Sequence, residues 1–370
     1  MDIICPQCNA TYRFPESRIP ARRASFACKR CGRRLTIEPP AKSREYQARS
    51  TLPIGPAPFS APADKGHSNA IVQEFPEAAD FASRNYALKH LLKPDKKGRY
   101  KTRLNNLKLK LLGAVKATLD QLLEQDEQVL HVAAATAYYP FELIFGNGWL
   151  TMLYNRYIVV ATNRRLVAVN TNYRMTKPSH YLFQFPYETI KKISRGLFGT
   201  SLSLTRKKGK RRTFTAIKRA LAGEMKNFIS TQIDPSASLD AKAFPQENLC
   251  PACFKALPAK LTACPGCRAP FKTPRKAALR SLLLPGWGDI YLGHRFLGGL
   301  ELLGSVLVWI FVASSLLSNS PEGLTMAIVI LLFFNGLDSL VTLHMAKKGH
   351  SLEKKQPQTA AMGRLSAHRA

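Results

Sequence analysis

The sequence predicts a multidomain chain with two small cysteine-bound ribbons, a mainly-β domain closed by a C-terminal helix, and a C-terminal two-helix hairpin in a membrane. Three observations carry this. All eight cysteines fall into Cys-x-x-Cys pairs, residues 124–233 read as short strands and turns, and Leu297–Leu317 and Leu324–Met345 are apolar runs each about long enough to cross a bilayer as a helix. With 55 Lys and Arg against 24 Asp and Glu, a net charge of +31, the chain also calls for a polyanionic neighbour: an anionic leaflet or nucleic acid.

The first ribbon is expected over residues 1–38, with knuckles at Cys5-Pro-Gln-Cys8 and Cys28-Lys-Arg-Cys31. A unit this short cannot stabilise itself by burial. Four thiolates around a tetrahedral Zn²⁺ supply the missing free energy, about 10 to 16 kcal/mol in zinc-finger peptides. Gly32 supplies the positive φ of the turn after the second knuckle. The competing reading, a thioredoxin-like redox pair, needs one Cys-x-x-Cys beside a βαβ pattern, and the sequence has none. The N-terminus carries Asp2 and no extended apolar core, so no cleavable signal is expected and the thiols are expected in a reducing cytosol. The residues CPQCNATYRFPESRIP and FACKRCGRRLTI resemble the short zinc-ribbon family that heads many bacterial membrane and regulatory proteins. The resemblance implies a metal-stabilised binding knob with no coordination position left for substrate.

Residues 39–98 read as a flexible linker, rich in Pro, Ala and Ser at first, with Pro76 opening a short helix over Glu77–Leu92. Over 99–123, Leu104, Leu107, Leu111, Val115, Leu119 and Leu122 recur at helical spacing among Lys101, Arg103, Lys108, Lys110 and Lys116. Such a basic amphipathic helix either lies on anionic membrane or packs its leucine stripe into a core, the commoner fate.

Within 124–233, strands are expected at Val129–Ala137, Tyr157–Thr162, Leu166–Asn170, His180–Pro186, Ile190–Gly196, Ser201–Leu204 and Thr213–Ala216, then a helix over Ile217–Thr231. That inventory describes a small barrel or two orthogonal sheets. The stretches IVVATNRRLVAVN, FPYETIKKISRG and LSLTRKKGKRRTFTA resemble the bacterial pleckstrin-homology-like family. The resemblance implies a binding or assembly module and carries over no lipid pocket. Arg206, Lys207, Lys208, Lys210, Arg211 and Arg212 crowd a single hairpin tip around Gly209 and form the candidate anion- or lipid-binding site. The bland alternative is a solvated turn.

The second ribbon is expected over 249–271, at Cys250-Pro-Ala-Cys253 and Cys264-Pro-Gly-Cys267, which brings the expected zinc to two ions per chain. The membrane hairpin follows over 277–347, preceded by Ala277–Leu284 as an interfacial segment broken at Pro285-Gly286. The alternative for the two apolar runs is a pair of buried core helices. The stretch SLLLPGWGDIYLGHRFLGG resembles the two-helix transmembrane domain family over Leu279–Lys347, departing from it at Gly288-Asp289-Ile290. Cations flank the hairpin at Arg275, Lys276, Arg280, Arg295, Lys347 and Lys348 and are missing from the turn Ser318–Gly323. That asymmetry predicts a multi-pass protein of the inner cell membrane with both termini cytoplasmic. Glu301 and Asp338 lie inside the spans at similar depth. Glu301 is expected to reach Arg295 or water, and Asp338 to bond Asn335, Thr342 or the neighbouring helix; ion or proton handling is the sharper alternative. Residues 348–370 read as a disordered tail.

No phosphate-cradling Gly-x-x-x-x-Gly-Lys, His-Glu-x-x-His or Gly-x-Ser-x-Gly is present, so no catalytic residue and no enzyme is expected. The leading expectation is a membrane-anchored cytoplasmic scaffold whose ribbons and β-domain dock a protein partner or the anionic membrane surface. A membrane-held nucleic-acid-binding regulator is the alternative. Transport through the hairpin rests on the two acids alone.

Overall fold

Seven strands in the middle of the chain form the frame on which most of the rest is packed. In the computed structural model, the residues described are 2–4, 8, 11–13, 24–28, 30–32 and 34–37, then 65–353 apart from 84, 146–148, 210, 235–247, 259–260 and 318–319. The residues fall into two units, Met1–Ala57 and Pro58–Ala370. The first holds two antiparallel hairpins, β1 (Asp2–Ile4) with β2 (Thr11–Arg13) and β3 (Ala24–Ala27) with β4 (Arg34–Ile37). Cys5, residues 39–64 of the expected linker and residues 354–370 of the expected tail lie outside the described residues; from residue 65 on, the stretch read as a flexible linker is instead folded, with Ile71, Phe75, Phe81, Leu88 and Leu91 in the core.

In the second unit, β5 (Val129–Ala137), β6 (Arg156–Thr162), β7 (Arg165–Thr171), β8 (Pro178–Pro186), β9 (Ile190–Arg195), β10 (Leu202–Arg206) and β11 (Arg212–Thr215) form an antiparallel, curled half-barrel. Two short strands of the second ribbon, β12 (Asn248–Leu249) and β13 (Ala256–Leu257), extend it, giving the order β13-β12-β8-β7-β6-β5-β11-β10-β9. Side chains alternate across a strand, and here both faces are covered. Ile158, Val160, Val167 and Val169 pack with one layer; Tyr157, Val159, Ala161 and Ala168 pack with the other. That double burial is why Arg156–Thr162 reads as an unbroken apolar run rather than an alternating one.

The second layer includes the expected closing helix, at Arg219–Gln232, which buries Leu221, Ala222, Met225 and Ile229. The first layer is helical and only partly foreseen. The leucine-striped helix spans Arg103–Leu122, capped by Thr102, whose side chain accepts from the Asn105 N–H at 3.1 Å. Leu111, Val115, Leu119 and Leu122 are buried in the core with β5 and β6, so the stripe packs inward and is not spread on a membrane. Beside it lie a helix at Lys65–Glu74, a 3-10 turn at Pro76–Phe81 and one helical turn at Leu88–Leu91. The continuous helix expected over Glu77–Leu92 is therefore two short pieces. Phe75, Phe81, Leu88, Leu91 and Leu92 are all buried, and each piece ends where it has delivered its apolar groups to the sheet.

Two helices are long and apolar enough to cross a membrane, Arg295–Leu317 and Pro321–Ala346. Only 11% of each apolar window is buried, whereas a soluble core helix would be mostly covered. Ser320 caps the second, its Oγ accepting from the Gly323 N–H at 2.9 Å, with Pro321 at the first helical position. The segment before them is a helix, Pro274–Leu283, which a break at Leu284-Pro285-Gly286 separates from a shorter one, Trp287–Leu292. The longer of these packs along the second apolar helix through small polar groups. Ser281 Oγ lies 2.9 Å from Thr342 Oγ1, and Ser339 Oγ donates to Ala278 O at 2.9 Å.

Candidate metal centres and the base of the hairpin

In the second ribbon, one sulfur from each of Cys250, Cys253, Cys264 and Cys267 lies within 4.8 Å of the others. Cys250 and Cys267 are 3.8 Å apart, Cys253 and Cys264 3.6 Å. These separations exclude disulfides, whose sulfurs sit about 2 Å apart. They match the edge of a tetrahedron with metal–sulfur bonds of about 2.3 Å, which is about 3.8 Å. The backbone is folded to present the sulfurs. Cys250 N–H donates to Lys255 O and Cys264 N–H to Ala269 O, both at 2.9 Å. Phe254 and Arg268 each follow a knuckle's second cysteine at φ of 59°. The Ala252 and Gly266 N–H groups point at Cys250 and Cys264 Sγ from 3.4 Å, as donors to thiolates do. Hydrogen bonding from Cys250 holds Cys253 well below the ordinary thiol range, while the same bond pushes Cys250 up. Four such thiols cannot all ionise together without a cation, and four sulfurs at tetrahedral spacing are the donor set of structural zinc.

In the first unit, Cys8, Cys28 and Cys31 bring their sulfurs within 4.8 Å of one another, with Cys8 and Cys28 3.5 Å apart. Gly32 follows at φ 73°, its N–H donating to Cys28 O at 2.8 Å, the same turn as in the second ribbon. The ribbons are not equivalent, however. The second is continued into the half-barrel through the pairing of Asn248 with Phe183, so it is part of the domain's sheet and not a separate knob.

The base of the hairpin is joined to the same half-barrel, at residues that carry little signal in the sequence. Lys348, which reads as a flanking surface cation, is buried: its Nζ donates to Glu142 Oε2 at 2.6 Å and Asn155 Oδ1 at 2.7 Å and lies 4.5 Å from the centre of the Tyr139 ring. Burial lowers its pKa and the Glu142 carboxylate opposes that. Lys347 stays exposed. Tyr181 donates to Met345 O at 3.4 Å, and the Phe141 and His344 rings lie 4.7 Å apart. Glu142 and Asn155 are brought there by helices Pro140–Phe145 and Trp149–Tyr154 and the turn after them, where the sequence reads as an aromatic, Gly-rich passage.

The basic tip lies one ring away. The Arg212 guanidinium sits 5.7 Å from the centre of the Tyr139 ring that also meets Lys348. Arg206 folds back toward Gly209, where a β-carbon would lie 2.4 Å from its guanidinium, and Lys207 Nζ donates to Asp234 O at 2.8 Å. Lys208 and Arg211 are exposed, and Lys210 lies outside the described residues. The five described candidates thus differ in exposure: Arg206, Lys207 and Arg212 are half-buried, and Lys208 and Arg211 are exposed.

Inside the apolar hairpin, Glu301 and Asp338 come together, and Asp289 joins them from the short helix before the first span. Asp338 Oδ2 accepts from the Gly286 N–H at 3.0 Å, not from Asn335, which donates to Leu282 O. Burial, and then the Asp338 charge, push Asp289 up to about 7. Asp289 does not stand out in the sequence as a site residue, because it precedes the apolar run. Its signal was the departure at Gly288-Asp289-Ile290 itself.

Residues 1–36 match the zinc-ribbon domain family and residues 123–231 the family described as Bacterial PH domain. No curated protein matches the chain. The motifs behind the second likeness have structural work in this chain. Thr162 Oγ1 accepts from the N–H groups of Arg164 and Arg165 and donates to the buried Glu127, which Arg165 grips with two nitrogens at 2.8 and 2.7 Å. Tyr187, of the Pro-Tyr-x-x-Ile segment, donates to Thr162 O at 2.7 Å and locks the same hairpin. The chain thus carries an N-terminal zinc ribbon and a PH-like domain, followed by a second four-cysteine cluster and two apolar helices of membrane-spanning length.

Proposed function

We propose that the chain is a non-enzymatic membrane-anchored scaffold of the inner cell membrane, with two structural zinc ions and both ends cytoplasmic, that docks a protein partner at the anionic membrane surface. One observation carries this reading: the base of the hairpin is built into the PH-like domain through Lys348, Glu142 and Asn155. A binding module so joined presents one fixed face to the leaflet instead of sampling a tether's reach. The Tyr139 contact holds Arg212 against that base, and each Lys or Arg near an anionic surface contributes about 1 kcal/mol.

The test reconstitutes the full chain in vesicles and follows trypsin cleavage at Lys207, Lys208 and Arg211. Cleavage should be slow on vesicles rich in acidic lipid, and fast on neutral vesicles or at high salt, where the Debye length shrinks from about 8 Å to 3 Å. Equal cleavage on both vesicle types refutes lipid contact. Protection by duplex DNA on neutral vesicles at physiological salt would instead favour the membrane-held nucleic-acid regulator.

A further inference from the structure

We propose that Asp289, Glu301 and Asp338 form a binding site for one calcium-sized divalent cation at the base of the hairpin. Three separate elements deliver the acids: the short helix Trp287–Leu292, the first span and the second span. One carboxylate oxygen of each lies within 4.8 Å of the other two. Oxygen ligands sit about 2.3 to 2.6 Å from Ca²⁺, so donors on opposite sides of one ion are about 5 Å apart and neighbouring donors closer. The cluster fits that span.

Clustering alone would not make a site, since acids also gather through packing. The independent observation is the state of Asp289. It is fully buried; its Oδ2 accepts from Thr342 Oγ1 at 3.1 Å, its Oδ1 meets no N–H or hydroxyl donor, and its other close neighbour is the Glu301 carboxyl, itself an acid. A buried carboxylate oxygen left bare is costly unless something positive meets it. No Lys, Arg or His forms an ion pair with Asp289 or Asp338 among the described residues. Lys348, a buried cation whose charge reaches Asp289, is bound to Glu142 and Asn155.

The surrounding backbone is drawn tight around the acids. A β-carbon at Gly286 would lie 2.3 Å from Gly298 O and 2.9 Å from Glu301 Cβ, and one at Gly288 would lie 2.4 Å from both Ala277 O and Ser281 Oγ. Gly286 also adopts φ of 83°, which turns its N–H onto Asp338. The broken segment and both spans therefore meet on one group of hard oxygen donors, the ligand type that selects Ca²⁺, Mg²⁺ or Mn²⁺ over zinc. The thiolate ribbons prefer softer metals, so the two kinds of centre are separable by probe.

The experiment uses the full, zinc-loaded chain in neutral detergent and measures Ca²⁺ by equilibrium dialysis at pH 7.5, with thermal unfolding alongside. One Ca²⁺ per chain is expected beyond the zinc. Asp289→Asn, Glu301→Gln and Asp338→Asn should each weaken it at least tenfold with zinc content unchanged, and Glu322→Gln, in the first turn of the second span and at its far end from the three acids, should leave it intact. Ca²⁺ should raise the unfolding midpoint of the unmodified chain by several degrees, a readout that does not depend on the variants folding. Absence of both bound Ca²⁺ and a thermal shift in the unmodified chain overturns the proposal and leaves the acids sharing protons. Undiminished Ca²⁺ binding in folded Asp289→Asn and Asp338→Asn overturns it as well.

Discussion

Replacing Lys348 by Met should unseat the PH-like domain from the hairpin. The Lys348 and Glu142 side chains are 4% and 1% exposed, so the substitution leaves a buried carboxylate uncompensated. Removing one partner of such a pair costs about 3 to 5 kcal/mol. For a unit of this size that is a drop of roughly 10 °C in unfolding midpoint. Glu142→Leu should cost a similar amount by stranding the ammonium. The double variant, Lys348→Met with Glu142→Leu, removes both charges and leaves Asn155, which donates to Glu142 at 2.8 Å and accepts from Lys348, as the unsatisfied polar group. That residual defect costs about 1 to 3 kcal/mol, well short of the sum of the singles. The assay is thermal unfolding of the full chain in detergent, with hydrogen exchange across Pro178–Pro186 reporting the junction. A double variant as unstable as the sum of the singles, or a Lys348→Met loss below about 1 kcal/mol, would show that the charges are not coupled and refute the argument.

Two further predictions concern the metal centres and the core. Freshly purified, reduced chain should hold two zinc ions by elemental analysis; Cys250→Ser should remove one and speed exchange at Asn248–Leu249, where the ribbon joins the sheet, while Cys8→Ser should remove the other and leave that exchange untouched. His131, packed on Phe228, is lowered by burial from 6.5 to about 4, with Glu224 opposing. Between those values the unfolded chain binds the extra proton, so stability is complete above about pH 6.5 and falls by about 3 kcal/mol as pH drops toward 4. His131→Phe should flatten that slope in midpoints measured from pH 7 to 4.5, and an unchanged slope would assign it to other groups.

What could be read from the sequence follows from how local each signal is. Cysteine spacing reports a metal site because both ligands of a knuckle lie in one turn, and length reports a span because the bilayer sets it. The strands were legible where period-two patterning and turn residues coincide, as at Thr162-Asn163-Arg164-Arg165. The helical layer over 65–92 was not, because its pieces carry weak periodicity and owe their form to the sheet they cover. Lys108 shows the same limit from the other side. It sits among surface cations in the leucine-striped helix, yet its Nζ is buried and donates to Leu91 O at 2.8 Å and Glu224 Oε2 at 3.3 Å. Nothing at positions 103–122 announces a carboxylate at 224.

The domains of the second unit are not separable pieces. A fragment of residues 124–233 appears self-contained by its strand count, but Leu88, Leu91, Leu112 and Leu119 form the layer over Val132, Ile158, Val160 and Val167. Cutting at 124 would bare an apolar sheet face, and cutting after 233 would remove β12 from the edge of β8. Uncovered apolar surface and an unpaired edge are both routes to aggregation. The smallest piece that keeps both faces covered starts near residue 65 and runs through the second ribbon, whose end is bonded to the chain beyond the hairpin by Lys272 N–H to Ser351 O at 2.8 Å. The half-barrel, ribbon and hairpin base are thus one folding unit. A ligand held at any of them can influence the others through packed contacts, whereas a tethered domain could pass on no more than its local concentration.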